Sequence, residues 1–263
     1  MVERRTDGII CVSRAVRDSF AAAGIRGDRL RVVRNGIEIT SPPSVDRREI
    51  RRRLGIADDA TMVLTVARFT EQKGHRVLLN AIPGVVARVP RARFVWVGEG
   101  TLRGELQAEV RGRGLADSVR FTGRRDDVPE LLAAADAFAL PSRFEGLPLV
   151  VLEAMAAGLP VVATRASGTA EAIEDGVEGR LVEQHDAAAF GEALVEVLLD
   201  RGLAARLGSG GRARVREAFS ATRMGEQTLA AYRELLSRPE RRTARGAAPA
   251  ASLSSIPLPR AEA

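Results

Sequence analysis

A parallel α/β sheet flanked by helices is the fold the sequence predicts, and three observations predict it. Short apolar runs such as Met62-Val-Leu-Thr-Val-Ala67 and Ala137-Phe-Ala-Leu140 have the unbroken hydrophobicity of strands buried on both faces. Stretches that read as helices separate them. The strands run out into loops holding glycine or basic residues, at the edge where open α/β sheets bind ligands. With 263 residues, 45% of them hydrophobic, the chain has material for one large domain or two small ones.

Residues 6–40 hold an apolar strand, Gly8-Ile-Ile-Cys-Val12, then Ser13 as N-cap of a helix to about Ala23, and a second strand, Leu30-Arg-Val-Val33, ending at an Asn35-Gly36 turn. Residues 1–40 are too few to build a core of normal domain size, so their strands have an incomplete sheet to join. Pro42-Pro43 and the polar residues around them read as a linker over 41–54, with a short Arg-rich helix from Arg47 to Leu54.

The α/β alternation fills 55–220. Met62–Ala67 is its first strand, followed by a loop with Arg68 and Lys73 and a helix from near Gly74. Arg93-Phe-Val-Trp-Val97 runs into Gly98-Glu99-Gly100, a sharp turn that lacks the third glycine of a dinucleotide fingerprint. Val119-Arg-Phe-Thr122 runs into Gly123-Arg124, and Asp127 and Pro129 open a helix to Ala135; capping accounts for Asp127 without any ligand. After Ala137–Leu140 and the helix that follows it, Pro160-Val-Val-Ala163 is a strand with Arg165–Glu171 as its ligand-side loop, in which Gly168 and Thr169 offer backbone N–H groups and Glu171 serves as a cap for a helix over 169–174. Gly179-Arg-Leu-Val182 is the last strand. Helices follow to Leu199 and from Leu203 to Ala218, and residues 221–237 carry apolar side chains at helical intervals. Residues 238–263, rich in Arg, Pro, Ala and Ser, read as a disordered tail.

Two carboxylates stand out. Glu145 lies in the loop after Ala137–Leu140, and Glu153 lies on a helix that opens at Pro148 and ends at Gly158 and Pro160. Leu149, Val150, Ala156 and Ala157 are the neighbours of Glu153 one turn away, so no base on its own helix pairs with it, and burying its charge unpaired would cost several kcal/mol. A ligand with hydroxyls would satisfy it. Gly146 and Leu147 precede the helix start, where unpaired amides and the helix dipole favour phosphate. A sugar nucleotide carries both groups. Lys73 is the only lysine in a chain otherwise served by arginine, which marks either a need for a compact charge or a chance survivor.

Glu145, Glu153, Ala154-Met155-Ala156, Gly158 and Pro160-Val161-Val162 together resemble the signature of the donor-binding half of a GT-B glycosyltransferase of family 4, one of the glycosyl transferases group 1. The resemblance extends to Arg68 and Lys73, spaced as in Gly-Arg-x-x-x-x-Lys-Gly with Ala67 for the first glycine, and to Val12-Ser13 and Asn35-Gly36-Ile37-Glu38, similar to the end of the N-terminal, acceptor-binding domain. It implies a retaining, metal-independent enzyme. Arg68 and Lys73 would clamp the diphosphate, Glu145 would hold hydroxyls of the donor sugar, and Glu153 would accept hydrogen bonds from the ribose. Gly98 would lie close to the nucleotide, and Arg124 and Val128 around the nucleobase. Ser167-Gly168-Thr169-Ala170-Glu171 stands where the family usually has Gly-Gly-x-Pro-Glu, a departure at two positions that leaves the phosphate role of Gly168 and Thr169 open. Residues 1–40 would be a remnant of the acceptor domain, 55–220 the donor domain and 221–237 a helix crossing back.

Several classes are disfavoured. One cysteine, Cys11, allows no intramolecular disulfide, and two histidines with no Asp-x-Asp pair argue against a metal site. No cofactor is implied beyond the donor substrate. No apolar run reaches the length of a membrane span and no signal peptide is present, so the chain reads as cytoplasmic. A net charge of +6 permits peripheral contact with anionic membrane, while 4% aromatics and the lack of a nucleic-acid motif speak against nucleic acid. The expected partners are a UDP- or GDP-sugar donor, an acceptor glycan, lipid or small molecule, and a separate N-terminal domain chain if the chain is not simply truncated. A sugar-nucleotide-binding module without turnover is the alternative function.

Overall fold

The computed structural model describes residues 6–40, 43 and 45–237. Pro42 and the tail over 238–263 lie outside them. The main body is a six-stranded, wholly parallel sheet of β3 (Thr61–Val66), β4 (Ala92–Val97), β5 (Val119–Gly123), β6 (Ala137–Leu140), β7 (Val161–Thr164) and β8 (Arg180–Val182), in the order β5-β4-β3-β6-β7-β8. The apolar runs of the sequence are these strands. Side chains alternate across them, so Val63, Phe94, Trp96 and Val162 face one core and Leu64, Val95, Phe138 and Val161 the other.

Helices cover both faces. On the first, α3 (His75–Arg88) and α8 (Ala187–Leu199) bury Leu78, Ile82, Phe190 and Leu194, and α4 (Arg103–Gly112) adds Leu106. On the second lie α2 (Arg47–Arg53), α5 (Val128–Ala134), α6 (Leu149–Ala156) and α9 (Arg201–Ala218), with Ile50, Leu131, Val151, Met155 and Val215 in the core. A short helix, α7 (Thr169–Ala172), follows β7. The linker expected over 41–54 thus contains a core helix: Arg51 of α2 is buried, with its guanidinium bonded to the carbonyls of Ala134 and Ala60 and 2.6 Å from Asp136. Among the described residues no helix is long and apolar enough to cross a membrane.

Residues 6–40 make a separate two-stranded parallel sheet, β1 (Ile9–Cys11) and β2 (Leu30–Val32), joined through α1 (Arg14–Ala22). The last helix, α10 (Ala221–Leu236), returns to them: Ser220 at its start bridges Ile37, Arg31 pairs with Glu234, and Leu235 lies over Gly8.

In chain order the sheet grows outward from β3 to β4 and β5, then returns to β6 on the other side of β3. The connections after β3 and β6 therefore leave in opposite directions and open a crevice beyond their C-terminal ends.

Candidate functional site

The crevice gathers the charged candidates. β3 leads through Arg68 into a 3-10 turn, Glu71–Lys73, and β6 leads through Pro141 and Ser142 to Glu145. The two loops are bonded to each other: Arg143 N donates to the Gln72 carbonyl at 2.8 Å, and Gln72 Nε2 donates to the Phe144 carbonyl at 3.1 Å. As a result Lys73 Nζ lies 2.5 Å from Glu145 Oε1, with the two side chains only 15% and 7% exposed. This pair was not anticipated as a pair. The sequence signal was present, in a lone lysine after one strand and an acid after its neighbour across the crevice. Arg68 is exposed, and its side chain has no ion-pair or hydrogen-bond partner among the described residues.

Beside the pair, Gly146 lies under Val12 and Val16 of the first unit, 3.2 and 3.7 Å from where a Cβ would be, and the Leu147 carbonyl accepts from Asn35 Nδ2 at 3.0 Å. The amides of Gly146 and Leu147 make no hydrogen bond among the described residues. Gly168 corrects the sequence reading. Its N–H donates to the Glu145 carbonyl at 3.0 Å, so that amide is not free for phosphate, and a Cβ there would lie 2.0 Å from the Gly146 carbonyl oxygen. Glycine is required at 168 for this close approach of two loops. Thr169 is buried, with its hydroxyl unpartnered. Gly98, at φ 140°, likewise gives its N–H to the Gly123 carbonyl, and a Cβ would meet the Ala67 carbonyl at 2.1 Å; it holds the ends of β3 and β4 together.

Two acidic residues expected as caps do other work. Asp127 stands at the N-cap position of α5 but makes no capping bond to the helix; its carboxylate accepts from Arg125 Nε at 2.8 Å. Glu171 does not cap its own short helix; its Oε1 accepts from Ala15 N, at the start of α1, at 2.8 Å. Arg124, whose side chain is 83% exposed, lies in the loop after β5, and Val128, the first residue of α5, packs in part against the core; neither is bonded to the Lys73–Glu145 pair.

Glu153 occupies the place its helix dictates. It lines a cavity of about 390 Å³ between α5, α6 and the residues Gly36, Ile37, Glu38, Thr40 and Pro43, walled by Ile37, Pro129, Leu132, Leu149 and Ala156. Burial pushes its carboxyl above the ordinary carboxylate range. The carboxylate has no hydrogen bond or ion pair among the described residues, and the other ionisable group lining the cavity is a second acid, Glu38. A larger hollow of about 840 Å³ lies by β8 and α8, but the charges facing it are already joined, Arg88 to Glu192 and Arg180 to Glu196. Under the β3 loop, His75 is buried against Phe69 and Trp96, with ring centroids 4.8 and 5.3 Å away, and burial takes its imidazole down to about 4. Among the described residues no group of three or more His, Cys, Asp or Glu is gathered to hold a metal.

Among the described residues the crevice thus offers one paired and one unpaired cation, groups that can hold an anion, and the charged lining of the cavity at Glu153 is acidic and can accept from hydroxyls. Residues 46–214 match the family model described as "Glycosyl transferases group 1". The lipopolysaccharide core biosynthesis glycosyltransferase LpsE of Rhizobium meliloti is 33% identical over 89% of this chain and 65% of its own length. A GDP-mannose-dependent alpha-(1-6)-phosphatidylinositol monomannoside mannosyltransferase of Mycobacterium tuberculosis is 34% identical over 79% of this chain and 56% of its own. Among solved structures, Anabaena Alr3699/HepE in complex with UDP superposes with a TM-score of 0.81 at 28% identity, over 89% of this chain and 65% of that one. The chain thus spans between 56% and 65% of the length of these relatives.

Proposed function

Because this chain belongs to the group 1 glycosyl transferases, we propose that it binds a UDP- or GDP-sugar at the β3–β6 crevice and serves its transfer to a hydroxyl acceptor, as a retaining, metal-independent member of family 4. The observation that carries the reading is Glu153: a half-buried carboxylate that, among the described residues, has no donor and lies in an apolar-walled cavity lined by no cation. Phosphate is repelled from such a cavity, and a ribose diol is suited to it.

The remaining groups fall into place around that end. Arg68 and Lys73 take the diphosphate, with the free amides of Gly146 and Leu147 at its flank. Lys73 has three N–H donors and gives one to Glu145, so its charge is held at the crevice with donors to spare. As the sugar leaves, these cations stabilise negative charge developing on the diphosphate; deleting one such group typically costs about 3 kcal/mol of barrier. Glu145 retains a second oxygen for hydroxyls of the donor sugar. The leaving phosphate takes the acceptor proton, and no side chain of this chain is assigned that role. Arg124 and Val128 border the base; Gly98, Gly168 and Thr169 shape the loops.

Residues 55–220 are then the donor-binding unit, and 6–40 with α10 belong to the acceptor-binding side. LpsE's role in lipopolysaccharide core and the mannosyltransferase's use of a phosphatidylinositol mannoside favour a glycan or lipid acceptor, met from the cytoplasm at a membrane surface. A second reading is a module that binds a sugar nucleotide without turning it over. Titration calorimetry with UDP, GDP and their sugars, beside an assay for released or transferred sugar, tests both. Tight binding with transfer supports the enzyme, and binding alone supports the module. No heat with any nucleotide refutes the site.

A further inference from the structure

The two loops of the site are not anchored only within the sheet domain. The Arg165–Glu171 loop holds the site through Gly168, whose N–H bonds the Glu145 carbonyl and whose Cα lies against the Gly146 carbonyl. Three residues on, Glu171 reaches across to the first unit. Helix α1 begins with backbone N–H groups that have no partner inside the helix. Ser13 Oγ accepts from Val16 N at 3.1 Å, and Glu171 Oε1 accepts from Ala15 N at 2.8 Å. Its other oxygen is buried, 3.6 Å from Arg34 Nε, which is buried as well. The carboxylate therefore meets the positive end of α1 and a cation together, a geometry that favours a charged acceptor over a neutral one.

We propose that Glu171 is a positioning residue for the donor: by capping α1 it fixes loop 165–171, and through Gly168 the main chain of Glu145 and Gly146, so that docking of the first unit and donor binding are coupled. The inference rests on the reading of this crevice as a nucleoside diphosphate sugar site. It assigns Glu171 no contact with the ligand.

The test is a double-mutant cycle on the full chain, read as UDP and GDP affinity by calorimetry, with thermal unfolding measured alongside. Glu171→Ala removes the acceptor. Ala15→Pro removes the donor N–H in the first helical turn, where proline is tolerated. Each is expected to weaken nucleotide binding about tenfold, the double variant no further than either single one, and Glu171→Gln, which keeps an acceptor oxygen, is expected to recover part of the loss. Singles whose affinity is unchanged, or whose losses multiply in the double variant, overturn the inference while leaving the donor site standing. A lowered unfolding temperature with unchanged affinity has the same force, since it marks Glu171 as structural only. If the unaltered chain binds neither nucleotide, the donor site falls and the inference with it.

Discussion

Replacing Lys73 by Met separates the electrostatics of the crevice from its packing. The Glu145 side chain is 7% exposed, and its partner is the Lys73 ammonium at 2.5 Å. Met keeps the length and apolar stem of lysine and removes the charge, leaving a carboxylate shut away from water and unpaired. Breaking a buried pair in this way costs about 3–5 kcal/mol. Lys73 is 15% exposed, and some water reaches the pair, so the lower end, about 3 kcal/mol, is expected. Glu145→Gln should cost less, because the amide oxygen still accepts from the ammonium. The Lys73→Met, Glu145→Gln double variant holds no stranded charge and should be more stable than Lys73→Met alone. Urea unfolding of all four proteins measures this, with the m-value checked for constancy. A loss under about 1 kcal/mol for Lys73→Met, or single effects that simply add, would show that the two groups are not paired and that the crevice is not organised as described.

Glu153→Gln should stabilise the free protein at neutral pH while weakening donor binding. Burial raises the Glu153 carboxyl in the folded state, so its contribution is favourable below the unfolded value of 4.5 and is lost as pH rises through the folded value. The gain from glutamine should therefore shrink toward zero in acid, as pH-dependent unfolding midpoints would report. His75 runs the other way: folded near 4 against 6.5 unfolded, it gives about 3 kcal/mol of stability above pH 6.5 that disappears as pH falls through 4. His75→Phe should flatten that limb of the stability profile. Gly168→Ala puts a Cβ 2.0 Å from the Gly146 carbonyl and should cost the upper part of the about 1–3 kcal/mol range for overpacking, seen as a lower unfolding midpoint, with donor affinity reduced too.

Much of this was legible in the residues. Strands such as Met62–Ala67 and Ala137–Leu140 announced themselves by unbroken apolarity, because a strand covered on both faces has no solvent side to keep polar. Glu153 was visible for the converse reason, a charge on a helix with nothing nearby to neutralise it. What escaped were contacts between residues far apart in the chain. Glu171 lies 156 positions from Ala15, and nothing local distinguishes a carboxylate that caps its own helix from one that caps another. The amide of Gly168 looked available because glycine signals a tight approach without saying to what; here the approach is to the Gly146 carbonyl of the neighbouring loop. Residues 47–53 read as a short Arg-rich helix within a linker, and their five arginines hid the fact that the helix is part of the core: Arg51 is buried by exchanging water for the carbonyls of Ala134, Asp58 and Ala60 and for Asp136.

The most direct measurement of the central claim is a crystal structure of this chain grown with saturating UDP or GDP. The account predicts ribose hydroxyls within hydrogen-bonding distance of the Glu153 carboxylate and the diphosphate between Arg68, Lys73 and the Gly146 amide. A nucleotide bound elsewhere, or with its phosphates in the cavity beside Glu153, would contradict it.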